Sequence, residues 1–224
     1  MTKSSVDSSV PTRIANEIQV LINRGTLSPG VHLGQAEFAE RFSTSRVPVR
    51  EALKLLAEKG SLVHDQNRGF FVAQLSTDEA RQLYRLRHLL ELELLSTVEW
   101  PNDAKIRSLV HMIEDLEKLI VADSRIEWAA KHREFHVEVF GLSTQKLILK
   151  EVIRLWSLTD RYRSLLLATG SPKGHSEFGE GCVEERSLVA ALKAKDRNRL
   201  LAVYDDERNH VESILLNVLR DRGL

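Results

Sequence analysis

The stretch QAEFAERFSTSRVPVREALKLLAEKGSLVHDQNRGFFVA, residues 35–73, decides how the first part of this chain folds. Phe38, Ala39 and Phe42 share one side of a short helix predicted over 35–42, which the small polar run Ser43-Thr44-Ser45 interrupts. A longer helix follows over 46–59, with Val49, Leu53, Leu56 and Ala57 inward and Pro48 tolerated in the first turn, where no intrahelical N–H bond is lost. Two helices separated by three small polar residues make a helix-turn-helix. Beyond Gly60, Leu62-Val63-His64-Asp65 and Phe70-Phe71-Val72-Ala73 flank the turn Gln66-Asn67-Arg68-Gly69, which predicts a hairpin wing.

Working outward, Ile14, Ile18, Leu21 and Ile22 form one stripe of a helix over 12–24, ended by Gly25, and Leu27-Ser28-Pro29-Gly30 reads as a turn. Met1 to Val10 is Ser-rich and lacks the apolar core of a signal peptide, so residues 1–10 read as a disordered tail. On the other side, Ser76 to Glu79 has capping-box spacing and opens a long helix through about Glu99. Helices are expected over 103–122, 125–141, 144–168, 181–194 and 197–221, with a second capping box at Ser124 and Glu127. The longest loop, Thr169 to Glu180, carries Gly170, Pro172, Gly174 and Gly179 and is expected to be the most mobile. The fold class is therefore mainly α: a winged helix-turn-helix over 11–74, then an all-helical bundle over 75–224.

Composition narrows the setting. Hydrophobic residues at 42% and charged residues at 29% suit a globular protein, and no stretch approaches the roughly 20 apolar residues that span a bilayer. One cysteine, Cys182, permits no internal disulfide, as expected of a reducing, cytoplasmic compartment. Formal net charge is zero, but residues 11–74 hold eight Lys/Arg against six Asp/Glu, while 75–224 hold 23 against 25. So mild an asymmetry names no partner, and the local arrangement carries more information. Arg46, Arg50 and Lys54 recur every four residues and line one face of the third helix, with Thr44 and Ser45 adding hydroxyls at its start. An Arg fork presented from the first turns of such a helix is how helix-turn-helix proteins read base edges and phosphates.

The run Ser45-Arg46-Val47-Pro48-Val49-Arg50-Glu51-Ala52-Leu53, preceded by 30–42 and followed by Asn67-Arg68-Gly69-Phe70, resembles the winged-helix signature of the GntR family. The resemblance implies operator contacts from Ser45, Arg46 and Arg50, with Gly69 of the wing near the minor groove and Thr44 and Arg68 beside them. Two positions depart from the family pattern. The common arginine of the second helix is Ala36, and the usual glycine before the recognition turn is Ser43.

In the helical part, His132 and His136 stand four apart, the spacing by which one helix offers two imidazoles to one metal ion. Trp128, Phe135 and Val139 complete their stripe, so both rings are expected inside. Cys182, Glu185, Val189 and Leu192 form an inner stripe that buries Glu185, and Val203, His210, Ile214 and Val218 form another that points His210 inward. Each buried polar group left unpaired costs on the order of 1–3 kcal/mol, so the four should converge, on a metal ion or in a metal-free hydrogen-bonded cluster. Arg87 lies with Leu83, Leu90 and Leu94 on an inward stripe. It needs an anion, either a ligand carboxylate or Glu91 in a structural ion pair.

The helical part is similar to the FCD effector domain of FadR-like GntR regulators, whose metal-binding members use an acidic residue four before a Phe-His pair and two later histidines. Here His132 stands at the acidic position, Phe135-His136 match, and Glu185 and His210 follow, so carboxylate and imidazole have exchanged places. The resemblance implies a divalent metal (zinc, nickel or manganese) and a small organic acid held at Arg87. The expected function is a ligand-responsive repressor acting as a homodimer on double-stranded operator DNA, since one winged domain alone buries little surface. Two alternatives share the cluster: a metalloenzyme, for which no general base is evident, and a direct sensor of the metal.

Overall fold

The computed structural model describes residues 9–168 and 182–224, without the side chains of 164–168. The expected loop at Thr169–Glu180 and most of the expected tail lie outside the described residues. Cα packing divides the chain after Leu75 into two compact units.

The first unit holds α1 (Val10–Asn23), β1 (His32–Leu33), α2 (Gln35–Arg41), α3 (Arg46–Glu58), β2 (Leu62–Asp65) and β3 (Gly69–Val72). Ile14, Ile18 and Ile22 of α1 meet Phe38, Val49, Leu53 and Leu56, so three short helices share one apolar core. Helix α1 begins two residues earlier than its apolar stripe suggests, at Val10, because Pro11 fits the unpaired first turn. Gly25 ends it in the left-handed region at φ 71°. The wing is one strand larger than the expected hairpin: the sheet has the order β1-β3-β2, with His32 opposite Phe71 and Leu33 opposite Phe70. A two-residue strand leaves no alternation to read, and only its pairing with β3 reveals it. Gly69 opens β3 at φ 94°, where a side chain would be strained and its Cβ would stand 3.0 Å from His32 Nε2.

The second unit is helical throughout its described residues: α4 (Thr77–Ser96), α5 (Asp103–Val121), α6 (Arg125–Phe140), α7 (Lys146–Ala168), α8 (Val183–Ala194) and α9 (Arg197–Asp221). Leu94, Leu109, Ile113, Trp128, Phe135 and Leu188 belong to its continuous core. Ser76 caps α4 by accepting from Glu79 N–H at 3.4 Å, as half of a capping box. The Glu79 carboxylate instead takes Arg161 Nη2 at 2.6 Å and the Tyr162 hydroxyl, which fastens α4 to α7. The second expected box does not form, since the Ser124 side chain caps nothing and its backbone sits at ψ 69°. Asn102 and Asp196 do cap α5 and α9, each accepting from the N–H three residues on. Helix α4 ends at Ser96, short of Glu99, and Arg197 donates to its last carbonyls, at 3.2 Å to Leu95 O.

Ser43 occupies the helix-turn-helix turn at φ 50°, a conformation that costs a side-chain-bearing residue about 1–2 kcal/mol. Ser43→Gly removes that cost but adds about 0.4–1 kcal/mol of unfolded-chain entropy. A net gain of roughly 0.5–1 kcal/mol is expected, seen as about 2- to 5-fold greater amide-exchange protection at Val49 and Leu53. Unchanged or weaker protection would show that the turn is not strained.

Candidate functional site

In the first unit, the expected DNA-contacting residues surround one exposed helix end. Ser45 immediately precedes α3 with no side-chain capping bond, so its hydroxyl and the first N–H groups of α3 face outward together. Arg46 and Arg50 are exposed, and neither has an ion-pair partner among the described residues. Lys54 is held by Glu51 at 3.1 Å. Val47, 71% exposed, adds an apolar group of the kind that meets a thymine methyl. In the wing, Asp65 Oδ1 accepts from the N–H of Asn67 at 2.8 Å and of Arg68 at 3.0 Å, which fixes the turn. The Arg68 guanidinium lies 5.2 Å from the Phe71 ring centre.

In the second unit, a buried polar cluster occupies the middle of the helical core. Glu91 of α4 is fully buried and accepts from three helices: Arg87 Nε at 3.0 Å on α4 itself, Trp156 Nε1 on α7, and the Tyr204 hydroxyl at 2.8 Å on α9. Burial by itself pushes the Glu91 carboxyl up, yet Arg87 and Arg208, with the bonds from Tyr204 and Trp156, hold it below its ordinary value. Glu91 is therefore the anion that Arg87 needed, and the structural ion pair exists. It does not exhaust the guanidinium. Arg87 Nη1 donates to Thr159 Oγ1 at 2.8 Å, while Nη2 is buried without a hydrogen-bond partner among the described residues.

Beside this pair lie the two histidines. His136 Nε2 and His132 Nε2 are 3.2 Å apart, and His132 Nε2 is also 3.0 Å from Glu185 Oε1. The expected inward positions of His132, His136 and Glu185 are those observed. His210 is a correction: it is exposed, and the α9 residue that reaches the cluster is Glu207, whose Oε1 lies 3.9 Å from His136 Nε2. The inner stripe of α9 runs through Leu200, Tyr204, Arg208, Val211, Leu215 and Val218. Following only apolar residues from Val203 to Ile214 turned the expected face by one position, or 100°. Tyr204 with Val211, spaced by seven, was the signal that 207 and 208 face inward.

Ligand atoms of His132, His136 and Glu207 all lie within 4.8 Å of one another. Two imidazole nitrogens at 3.2 Å suit a common ion at ordinary metal–nitrogen lengths of about 2.0–2.1 Å, so the donor set fits a divalent metal. Burial first, then His132 and the Arg208, Arg163 and Arg87 guanidiniums, keep the His136 imidazolium well below its ordinary pKa. His136 is thus neutral at pH 7, as ligation requires, and its Nδ1 is buried without a partner among the described residues. One feature favours the metal-free network. The Arg163 guanidinium donates to His132 Nδ1 at 3.0 Å, which leaves the ring proton on Nε2, between Glu185 and His136. Ligation through Nε2 would require that proton on Nδ1, in place of the bond from Arg163. Burial, followed by Glu185, pushes the Cys182 thiol up to about 12, so a thiolate is no part of this set.

Residues 11–72 match the family model "Bacterial regulatory proteins, gntR family", and residues 82–205 match the FCD domain model. The chain belongs to the GntR family, in the branch that carries an FCD domain. This GntR regulator is similar to the HTH-type transcriptional repressor GlaR of Escherichia coli, at 29% identity over 80% of this chain and 83% of that one. It is also similar to the gluconate operon transcriptional repressor of Bacillus licheniformis, at 24% identity over 93% and 88% of the two chains. Among solved structures, E. coli McbR/YncC shares the fold, with TM-score 0.80 and 23% identity over 93% of this chain and 97% of that one. The matched families and relatives are transcription regulators, so the protein is a DNA-binding transcription regulator and not an enzyme. Among the described residues, no helix is long and apolar enough to cross a membrane.

The neutral, buried state of His136 has a measurable consequence. Below about pH 6.5 the unfolded chain binds a proton on this ring, while the folded protein resists until far lower pH. Unfolding therefore takes up a proton in that window, and stability falls as pH drops, with a slope approaching about 1.4 kcal/mol per pH unit. Trp100, Trp128 and Trp156 all lie in the second unit, so tryptophan fluorescence in urea follows that unit alone. Metal-free protein should unfold at lower urea near pH 5.5 than near pH 7, and His136→Asn should reduce the difference. Equal pH sensitivity in the two proteins would assign the effect elsewhere.

Proposed function

We propose that this GntR regulator is a homodimeric, cytoplasmic repressor whose operator affinity is set by a small carboxylate bound in the polar cluster of the helical unit. The observation that carries this reading is that Arg87 Nη2 and His136 Nδ1 are both buried in the helical core without a hydrogen-bond partner among the described residues. Two unspent donors in one core are costly unless an acceptor enters, and a carboxylate accepts from a guanidinium with the best geometry. The relatives named as transcriptional repressors support the sign of regulation.

His132, His136 and Glu207 would hold a divalent metal, with Glu185 lying against His132. Such an ion supplies a Lewis-acidic anchor for ligand oxygens. Arg87 then orients the ligand through Nη2, and Thr159 and Glu91 fix the guanidinium. Arg163, freed from His132 Nδ1 when that ring changes tautomer, becomes a second cation for the incoming acid. The signal has a physical route along α7. Trp156 and Thr159 touch the cluster, while Arg161 and Tyr162 of the same helix grip Glu79, and Tyr162 accepts from Ser76 N–H at 3.3 Å. Ser76 is the first residue after the DNA-binding unit.

Thr44, Ser45, Arg46, Arg50, Arg68 and Gly69 are the proposed operator contacts. Arg46→Ala and Arg50→Ala should each cost roughly 1–3 kcal/mol of specific affinity if the side chain reads a base. Electrophoretic mobility shifts measure this, and unchanged binding by the double variant would place recognition on another element.

For the metal, protein purified without an affinity tag and incubated with zinc, nickel and manganese is compared with variants by elemental analysis. His136→Ala and Glu207→Ala should lose the ion, whereas His210→Ala should keep it, because His210 faces solvent. No metal in the unaltered protein would leave the hydrogen-bonded network as the whole site. Loss in His210→Ala alone would restore the ligand set expected from the sequence.

A further inference from the structure

The exposed side of the recognition helix has an apolar residue at its centre. At about 100° per residue, the buried positions Val49, Ala52, Leu53 and Leu56 of α3 share one direction, and Val47 points about 170° away from it. Arg46 and Arg50 flank Val47 on one side, and Glu51, held by Lys54 at 3.1 Å, lies on the other. Within the first unit Val47 is the most exposed large apolar residue among the described residues, at 71% against 55% for Val63. Single exposed valines are ordinary, but this one stands in the first turn of α3, the part of such a helix that reaches base edges. The helix itself gives no reason for it. Valine is a weak helix former, and a solvent-facing position gains nothing from its two methyl groups.

We propose that Val47 selects a thymine in the operator by packing on the base's 5-methyl group in the major groove. The inference rests on the operator contacts proposed above and adds the base read at the middle of their face. Valine can neither donate nor accept, so a donor or acceptor of adenine, guanine or cytosine placed against it loses water and gains no partner. Of the four bases only thymine offers an apolar group there. In a helix one χ1 rotamer dominates for valine, so its methyl groups are already aimed and binding costs them little rotamer entropy. A long flexible side chain at the same position would have to be ordered first.

The neighbours of Val47 divide the work with it. Arg46, Arg50 and the Ser45 hydroxyl take phosphates or guanine edges and set how α3 sits in the groove, and Val47 meets the base that this placement brings to it. Affinity from the arginines falls as salt rises, because each phosphate they neutralise releases counterions. An apolar contact on a methyl group releases none, so the preference for thymine is expected to persist at high salt.

Duplexes selected by the full-length protein from a random-sequence library supply the probe for the test. Each thymine of the selected half-site is replaced in turn by deoxyuridine, which removes the 5-methyl group alone, and the dissociation constant is measured by fluorescence anisotropy at about 50 and 200 mM salt. At one thymine the replacement should weaken binding by the unaltered protein about fourfold, the size expected for one methyl group, at both salt concentrations. In Val47→Ala the same replacement should cost less than about twofold, since the shortened side chain no longer reaches the methyl group. Circular dichroism checks that this variant is folded, as the exposure of Val47 leads one to expect. A uridine penalty as large in Val47→Ala as in the unaltered protein, a penalty that vanishes at the higher salt, or no penalty at any thymine would overturn the assignment of Val47 alone. Arg46→Ala and Arg50→Ala variants that bind the same duplexes as tightly as the unaltered protein would instead overturn the operator contacts on which it rests.

Discussion

A carboxylate with no access to water organises the helical unit. Glu91 can be ionised in the core only because donors from α4, α7 and α9 converge on its two oxygens. Removing any one of these helices from its place leaves a buried charge short of partners, so the cost of the charge becomes a requirement for one particular packing. Arg87 is drawn inside by the same anion. The guanidinium comes in to neutralise Glu91, and its Nη2 is left buried without a hydrogen-bond partner among the described residues.

Three guanidiniums and three carboxylates surround His132 and His136: Arg87, Arg163 and Arg208 with Glu91, Glu185 and Glu207. Arg208 Nη2 lies 2.5 Å from Glu207 Oε1, and the Arg163 guanidinium reaches His132 Nδ1. His132 stands where the family's metal-binding members carry an acid, and its Nδ1 accepts from Arg163 while its Nε2 lies between Glu185 and His136.

The DNA-binding unit depends on a separate core, built by α1, α2, α3 and the three-stranded wing. Its recognition helix keeps Val49, Leu53 and Leu56 inside and turns Arg46 and Arg50 outside. One helix is thus divided into a packing face and an exposed cationic face. Ser43 and Gly69 mark its two tight places, one a side chain held at positive φ and the other a glycine that His32 leaves no room to replace.

The sequence by itself determined what is local. The α3 face, the wing hairpin, the i, i+4 histidines and the inward Arg87 and Glu185 all follow from helical or strand periodicity, in which neighbours along the chain report on one another. What required the tertiary structure is whatever distant segments decide jointly. Strand β1 exists because β3 lies beside it, and Ser124 fails to cap although its spacing to Glu127 is correct. The α9 residue that approaches His136 is Glu207, one turn before the exposed His210, because the helix buries Tyr204 and Arg208 on its inner side. A polar residue on an inner stripe looks like a surface residue until its partner is seen, and the partner of Tyr204, Glu91, lies more than a hundred residues away in the chain. Periodicity measures the hydrophobic face of one helix, whereas the face that is finally buried is set by every group, apolar or charged, that the neighbouring helices can satisfy.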